Sequence, residues 1–120
     1  MFEVKADPAR QRLNCKITGA ITEEELKNAA DLIKGEATKL SPGWAAAVDL
    51  RGMGAVSPAQ MAALGQAQKA ILETGARKMG TLLRDPKLEM QLSRAGGKAG
   101  VNDMTQRFVN EAEWERFLAS

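Results

Sequence analysis

The sequence predicts an α/β domain: a single layer of helices on a mixed, mostly parallel five-stranded sheet, in the order β-β-α-β-α-β-α-β-α. Three observations predict it. Short segments of strand character recur at Phe2–Ala6, Leu13–Thr18, Trp44–Leu50, Lys78–Leu83 and Met104–Val109. After the first two, every strand is separated from the next by a helical stretch, which requires parallel pairing with right-handed crossovers. The outer strands carry a polar face, with Glu3 and Lys5, Asn14 and Lys16, Thr105 and Arg107, so all helices are expected on the other side. The middle strands lack such a face. A one-sided layer would leave the sheet centre as an apolar patch, which marks a partner or a ligand.

Each element has its own local warrant. Asp7-Pro8-Ala9-Arg10 is a turn that makes the first two strands an antiparallel hairpin. Thr22-Glu23-Glu24-Glu25 is a capping box with acids where the helix dipole favours them. Leu26, Ala29, Ala30, Ile33, Ala37 and Leu40 then recur at helical spacing, until Ser41-Pro42-Gly43 stops the helix. The central strand, Trp44 to Leu50, runs into a loop holding Gly52 and Gly54. Ser57-Pro58 with Gln60 opens the next helix, Pro58 to about Thr74, with Ser57 as N-cap. Gly75 ends it. Asp85-Pro86 starts a third helix over Lys87–Ala95, and Ala95-Gly96-Gly97-Lys98-Ala99-Gly100 reads as a flexible break. Asn110-Glu111-Ala112-Glu113 caps the last helix, whose apolar face is Trp114, Phe117 and Leu118.

The chain of 120 residues is long enough for one domain, 1–120, with one real core. Its 44% apolar and 27% charged residues are those of an ordinary globular protein. The net charge of +2, with basic and acidic residues interspersed, argues against a nucleic-acid partner. No apolar tract is long enough for stable membrane insertion, and the N-terminus lacks signal-peptide form. With the single Cys15, this gives a cytoplasmic expectation. The chain contains no histidine, which removes the commonest general base, most zinc sites and the usual triads. No catalytic constellation, metal site or cofactor is expected.

The candidate binding residues lie at the C-terminal ends of the central strands, where α/β folds bind ligands. Asp49 and Arg51 alternate onto one side, and Arg84 and Asp85 follow the neighbouring strand in the same position. They form either a polar cleft for an anionic group, with arginine as clamp, or an ion-pair cluster with turn caps that closes the sheet end. Ser57 joins them as the start of the adjoining helix. Arg94 to Gly100 lacks the spacing of a phosphate loop and reads as a connector. Cys15 faces the core as an inert thiol. Met53, Met61, Met79, Met90 and Met104 sit mostly at core spacing, or line an adaptable apolar pocket. Lys69, Arg77 and Lys78 read as a solvated basic group complementing the end of the second long helix.

The order of elements, the segment V-D-L-R-G-M…S-P-A-Q-M, and Arg84-Asp85 followed by Leu88-Glu89-Met90-Gln91 resemble the SpoIIAA-like family, relatives of the STAS domain. The resemblance covers nearly the whole chain and implies a superhelix of β-α units. Relatives in that fold include regulatory protein-binding domains and the lipid-binding CRAL-TRIO domains. In regulatory members a partner kinase phosphorylates the serine that starts the helix. That position falls near Pro58, which has no hydroxyl, so Ser57 substitutes only if the register shifts by one.

The reading that follows is a non-enzymatic regulatory or protein-interaction module. It binds a protein partner, or itself as a homodimer, through the loop Gly52–Ser57 and the helix beginning at Pro58. The alternative is a carrier of a small apolar or amphipathic, lipid-like ligand. That alternative calls for a pocket of at least about 300 Å³ between sheet and helices, with Arg51 or Arg84 on the head group.

Overall fold

The computed structural model describes residues 1–19 and 21–120. In chain order they form β1 (Phe2–Asp7), β2 (Arg12–Ile17), α1 (Glu23–Ala37), β3 (Trp44–Asp49), α2 (Pro58–Glu73), β4 (Ala76–Leu82), α3 (Pro86–Ala99), a single 3-10 turn (Asn102–Met104), β5 (Thr105–Phe108) and α4 (Glu111–Ala119). The fold is α/β, with a five-stranded mixed sheet ordered β1-β2-β3-β4-β5. β1 and β2 are antiparallel; the remaining neighbours are parallel.

This sequential order decides where the helices go. Each crossover from β2 to β5 steps one strand in the same direction, and right-handedness puts α1, α2 and α3 on one face. Leu13, Cys15, Ala46 and Met79 of the sheet meet Ala29, Ile33, Ala67 and Ile71 of α1 and α2 there. Leu64, Leu88 and Leu92 close the adjoining cluster between α2 and α3. The local signals hold. Thr22 and Ser57 each form a complete capping box, and α2 begins at Pro58.

α4 corrects the expectation of a single helical layer. It packs on the opposite face, where Trp114 and Leu118 bury Ala45, Ala47 and Leu82. Among the described residues α4 does not join two strands of the sheet, so the crossover rule does not place it. Small residues let it approach closely: a Cβ on Gly80 would lie 3.0 Å from Phe117 and 3.2 Å from Trp114 and Leu118. The Trp114 indole N–H donates to the Gly80 carbonyl at 2.8 Å, satisfying a buried donor at the same contact. The apolar sheet centre is therefore covered, and the exposed patch expected from a one-sided layer is absent. The β1–β2 part of this face meets water through Glu3, Lys5, Asn14 and Lys16, and Gln106 of β5 is exposed on it as well. Thr105 and Arg107 correct the expected polar face: they pair with Met79 and Thr81, so the strand alternation turns them to the side of α1–α3.

α3 corrects a second expectation. The helix runs through Gly96 and Gly97 and ends at Gly100, whose φ of 78° makes a left-handed cap. Two glycines cost a helix about 1 kcal/mol each, but here the chain folds back on the last turns. Asn102 Nδ2 donates to Ser93 O at 3.0 Å, and Asn102 Oδ1 lies 2.3 Å from where a Gly96 Cβ would be. The glycine makes room for the side chain that secures the helix end.

Candidate functional site

The segment after β3 is a fixed surface. Leu50 N–H donates to Leu82 O at 2.8 Å and extends the strand ladder by one residue. Met53 N–H donates to Leu50 O at 3.0 Å, and the Met53 side chain is buried under the loop. Gly52 passes close to β2, with its absent Cβ 3.3 Å from Ile17 O. Gln91 of α3 then clamps the backbone of Val56. Its Oε1 accepts from Val56 N at 3.0 Å, and its Nε2 donates to Val56 O at 2.9 Å. Ser57 Oγ accepts from Gln60 N at 3.1 Å, and Gln60 Oε1 accepts from Ser57 N at 2.9 Å. Ser57 is thus placed as a helix cap with an exposed side chain.

The four expected charges at the strand ends separate. Asp49 and Arg51 do meet. Asp49 Oδ1 accepts from Arg51 N and Nε, both at 3.1 Å, and Oδ2 from Nη2 at 2.8 Å. Arg51 Nη2 also reaches Glu111 Oε1 of α4 at 3.6 Å. Burial pushes the Asp49 carboxyl upward. The Arg51 hydrogen bonds and the Arg51 and Lys16 charges outweigh it and hold the carboxyl below the usual aspartate range. The Asp49 hydrogen bonds in turn raise the Arg51 guanidinium. Asp85 instead caps α3, its Oδ1 accepting from Lys87 N at 2.8 Å. Its Oδ2 lies 3.4 Å from the Cβ position of Gly54, so it stands beside the loop. Arg84 is exposed and forms no ion pair among the described residues.

Beside the loop, α2 and α3 leave an open groove of about 540 Å³. Met61, Ala62, Gly65 and Ala95 give it apolar ground, and Lys69, Arg94 and Lys98 give it cations. Among the described residues no carboxylate lines it; Glu73 approaches Lys69 only at 3.9 Å, an exposed contact of little energy. This groove was not found in the sequence. Its signal is Arg94 and Lys98 four apart on one helix face, which vanishes when residues 95–100 are taken for a loop.

Other side chains settle into simpler places. Cys15 is buried, and desolvation pushes its thiol up to about 12. Met53 and Met79 are core residues, whereas Met90 is 58% exposed. Lys78 corrects the expected solvated basic group. It is buried in β4, and its ammonium donates to Phe117 O and Ser120 O at the end of α4. It complements the dipole of α4, not of α2. The space between sheet and helices is about 30 Å³, lined by Phe2, Cys15, Gln68 and Thr81 among others. That admits a water molecule, not a lipid chain. Among the described residues no group of three or more Cys, Asp and Glu is gathered as for a metal ion, and no helix is long and apolar enough to cross a membrane.

Comparison with known proteins finds no matching family model, no similar curated protein and no similar solved structure.

Proposed function

We propose that this protein is a non-enzymatic interaction module of the STAS-like type. Its docking face is the loop Gly52–Ser57 together with the α2–α3 groove, and its occupant is an acidic segment of a partner protein. The observation that carries the reading is the Gln91–Val56 clamp, which joins the loop to α3 and makes loop and groove one pre-ordered surface. Pre-ordering lowers the entropic cost of binding. The apolar ground with a cationic rim is complementary to an amphipathic segment carrying carboxylates, laid in as a helix or an extended strand. The family resemblance supports the same loop as the contact region. The tied-up Asp49 carboxylate and the undissociated Cys15 leave little for a reaction to use. Homodimerisation through the sheet centre has lost its motive, since α4 covers that centre, and the edge strands β1 and β5 are the remaining route to it.

A photo-crosslinking residue at Gln66 in the groove, compared with one at exposed Leu32 on α1, tests the proposal in cell extract. The expected result is a discrete protein adduct at position 66 that Arg94→Glu with Lys98→Glu abolishes. Equal labelling at both positions, or labelling indifferent to the charge reversal, contradicts it.

A further inference from the structure

The opposite end of the sheet holds a second cationic cleft. It opens where β2, β3 and β4 begin, beneath the C-terminal end of α4, and has a volume of about 500 Å³. Arg10, Arg12 and Arg77 line it; Glu115 is the one carboxylate among its lining residues. Arg12 is buried at 7% exposure. Its Nη1 donates to Glu115 Oε2 at 2.9 Å, while its Nε is buried with no hydrogen-bond partner among the described residues. A guanidinium carries five donors, and leaving one desolvated and unpaired is costly. Arg77 is exposed, with Nη2 donating to the Ser120 main-chain oxygen at 2.7 Å. Arg10 is exposed and holds Asp7 only loosely, at 3.8 Å. Behind them, burial and then the Arg77 and Arg12 charges hold the Lys78 ammonium below the ordinary lysine range. Cations are therefore gathered here in excess of the carboxylates that face them.

The backbone enforces the gathering. Gln11 is the one described non-glycine residue with positive φ, at 51°. It is fixed from both sides. Gln11 Oε1 accepts from Ser41 N at 3.0 Å, and Gln11 O accepts from Ala45 N at 3.0 Å. This left-handed residue turns the hairpin, and Arg10 and Arg12, its two neighbours in sequence, both line the cleft.

We infer that this cleft is a binding site for a small phosphorylated metabolite, with Arg12 as the buried anchor and Arg10 and Arg77 as exposed clamps. Planar guanidinium groups at one cleft suit the several oxygens of a phosphate group. The volume lies in the range of small-ligand sites. The inference is independent of the docking face, which lies on the other side of the sheet.

Titration of the uniformly ¹⁵N-labelled protein with inorganic pyrophosphate at constant ionic strength, followed by amide shifts, tests it. Saturable shifts at Gln11, Arg12, Gly43 and Ala45 are expected. Arg77→Gln, at an exposed position, is expected to weaken binding about tenfold through loss of a charge-assisted contact. Lys98→Gln, in the other groove, should leave it unchanged. Absence of saturation up to roughly 10 mM, saturation centred on Arg94 and Lys98, or equal affinity in Arg77→Gln would each overturn the inference. Arg12→Lys checks the anchor: retained charge without the guanidinium fork should weaken binding, and unchanged affinity would remove Arg12 from the site.

Discussion

Gly80 and Gly96 show how single missing methyl groups shape this molecule. At Gly80 a Cβ would meet Phe117, Trp114 and Leu118 of α4 at once. Gly80→Ala is expected to destabilise the fold by about 1–3 kcal/mol, the range for overpacking a close contact, as read by urea unfolding. At Gly96 the obstacle is one flexible side chain, Asn102. Gly96→Ala alone trades a helix gain of up to about 1 kcal/mol against the Asn102 bonds to Ser93 and Arg107. In an Asn102→Ala background only the gain remains, so the same change should stabilise there. A double-mutant cycle measures the difference, and additive effects would refute the interlock. Cys15, buried with its thiol held up to about 12, should resist disulfide reagents in the native protein at mildly alkaline pH. Rapid labelling without denaturant would contradict its placement.

At the level of elements, strands and helix starts were legible because each is encoded locally: alternation in β2, capping boxes at Thr22 and Ser57, Asn110 before α4. What was not legible depended on distant contacts. Two glycines speak for a break in α3, and only Asn102 folding back on the helix overrides them. Lys78 looks like a surface cation next to Arg77 until the strand places it under the end of α4. The side of the sheet that α4 takes is fixed by no crossover, so only the small Ala45, Ala47 and Gly80 hinted at it. The site was half legible for the same reason. Asp49 and Arg51 meet because alternation is local, while Arg84 and Asp85 diverge because one helix cap claims Asp85. The loop's order likewise rests on one distant residue. Gln91→Ala should loosen residues 52–57, seen as faster amide exchange at Val56, while the rest of the sheet keeps its protection.

Across the whole molecule, charge is arranged by face. The Asp49–Arg51 pair closes the end of β3, with Glu111 of α4 as an exposed outer contact of little energy. Because the folded Asp49 carboxyl titrates below its unfolded value, its stabilisation is complete above about pH 4 and is lost as pH falls through the folded value. Asp49→Asn should therefore lower stability at neutral pH, by about 1–3 kcal/mol for a charged hydrogen-bonded pair. The gap to the native chain should close in acid, and a gap independent of pH would contradict the pairing. The cations of α2 and α3, by contrast, face solvent with no carboxylate among the groove's lining residues. That cationic surface, set beside an ordered loop and relieved only by the loose Lys69–Glu73 contact, supports the docking-module proposal. Its most direct test is calorimetric titration of the partner captured at Gln66 against the native protein, Arg94→Glu/Lys98→Glu, and Arg51→Ala as control. A loss of at least about tenfold in affinity is expected for the groove variant and none for Arg51→Ala. Unchanged binding by the groove variant, or loss confined to Arg51→Ala, would contradict it.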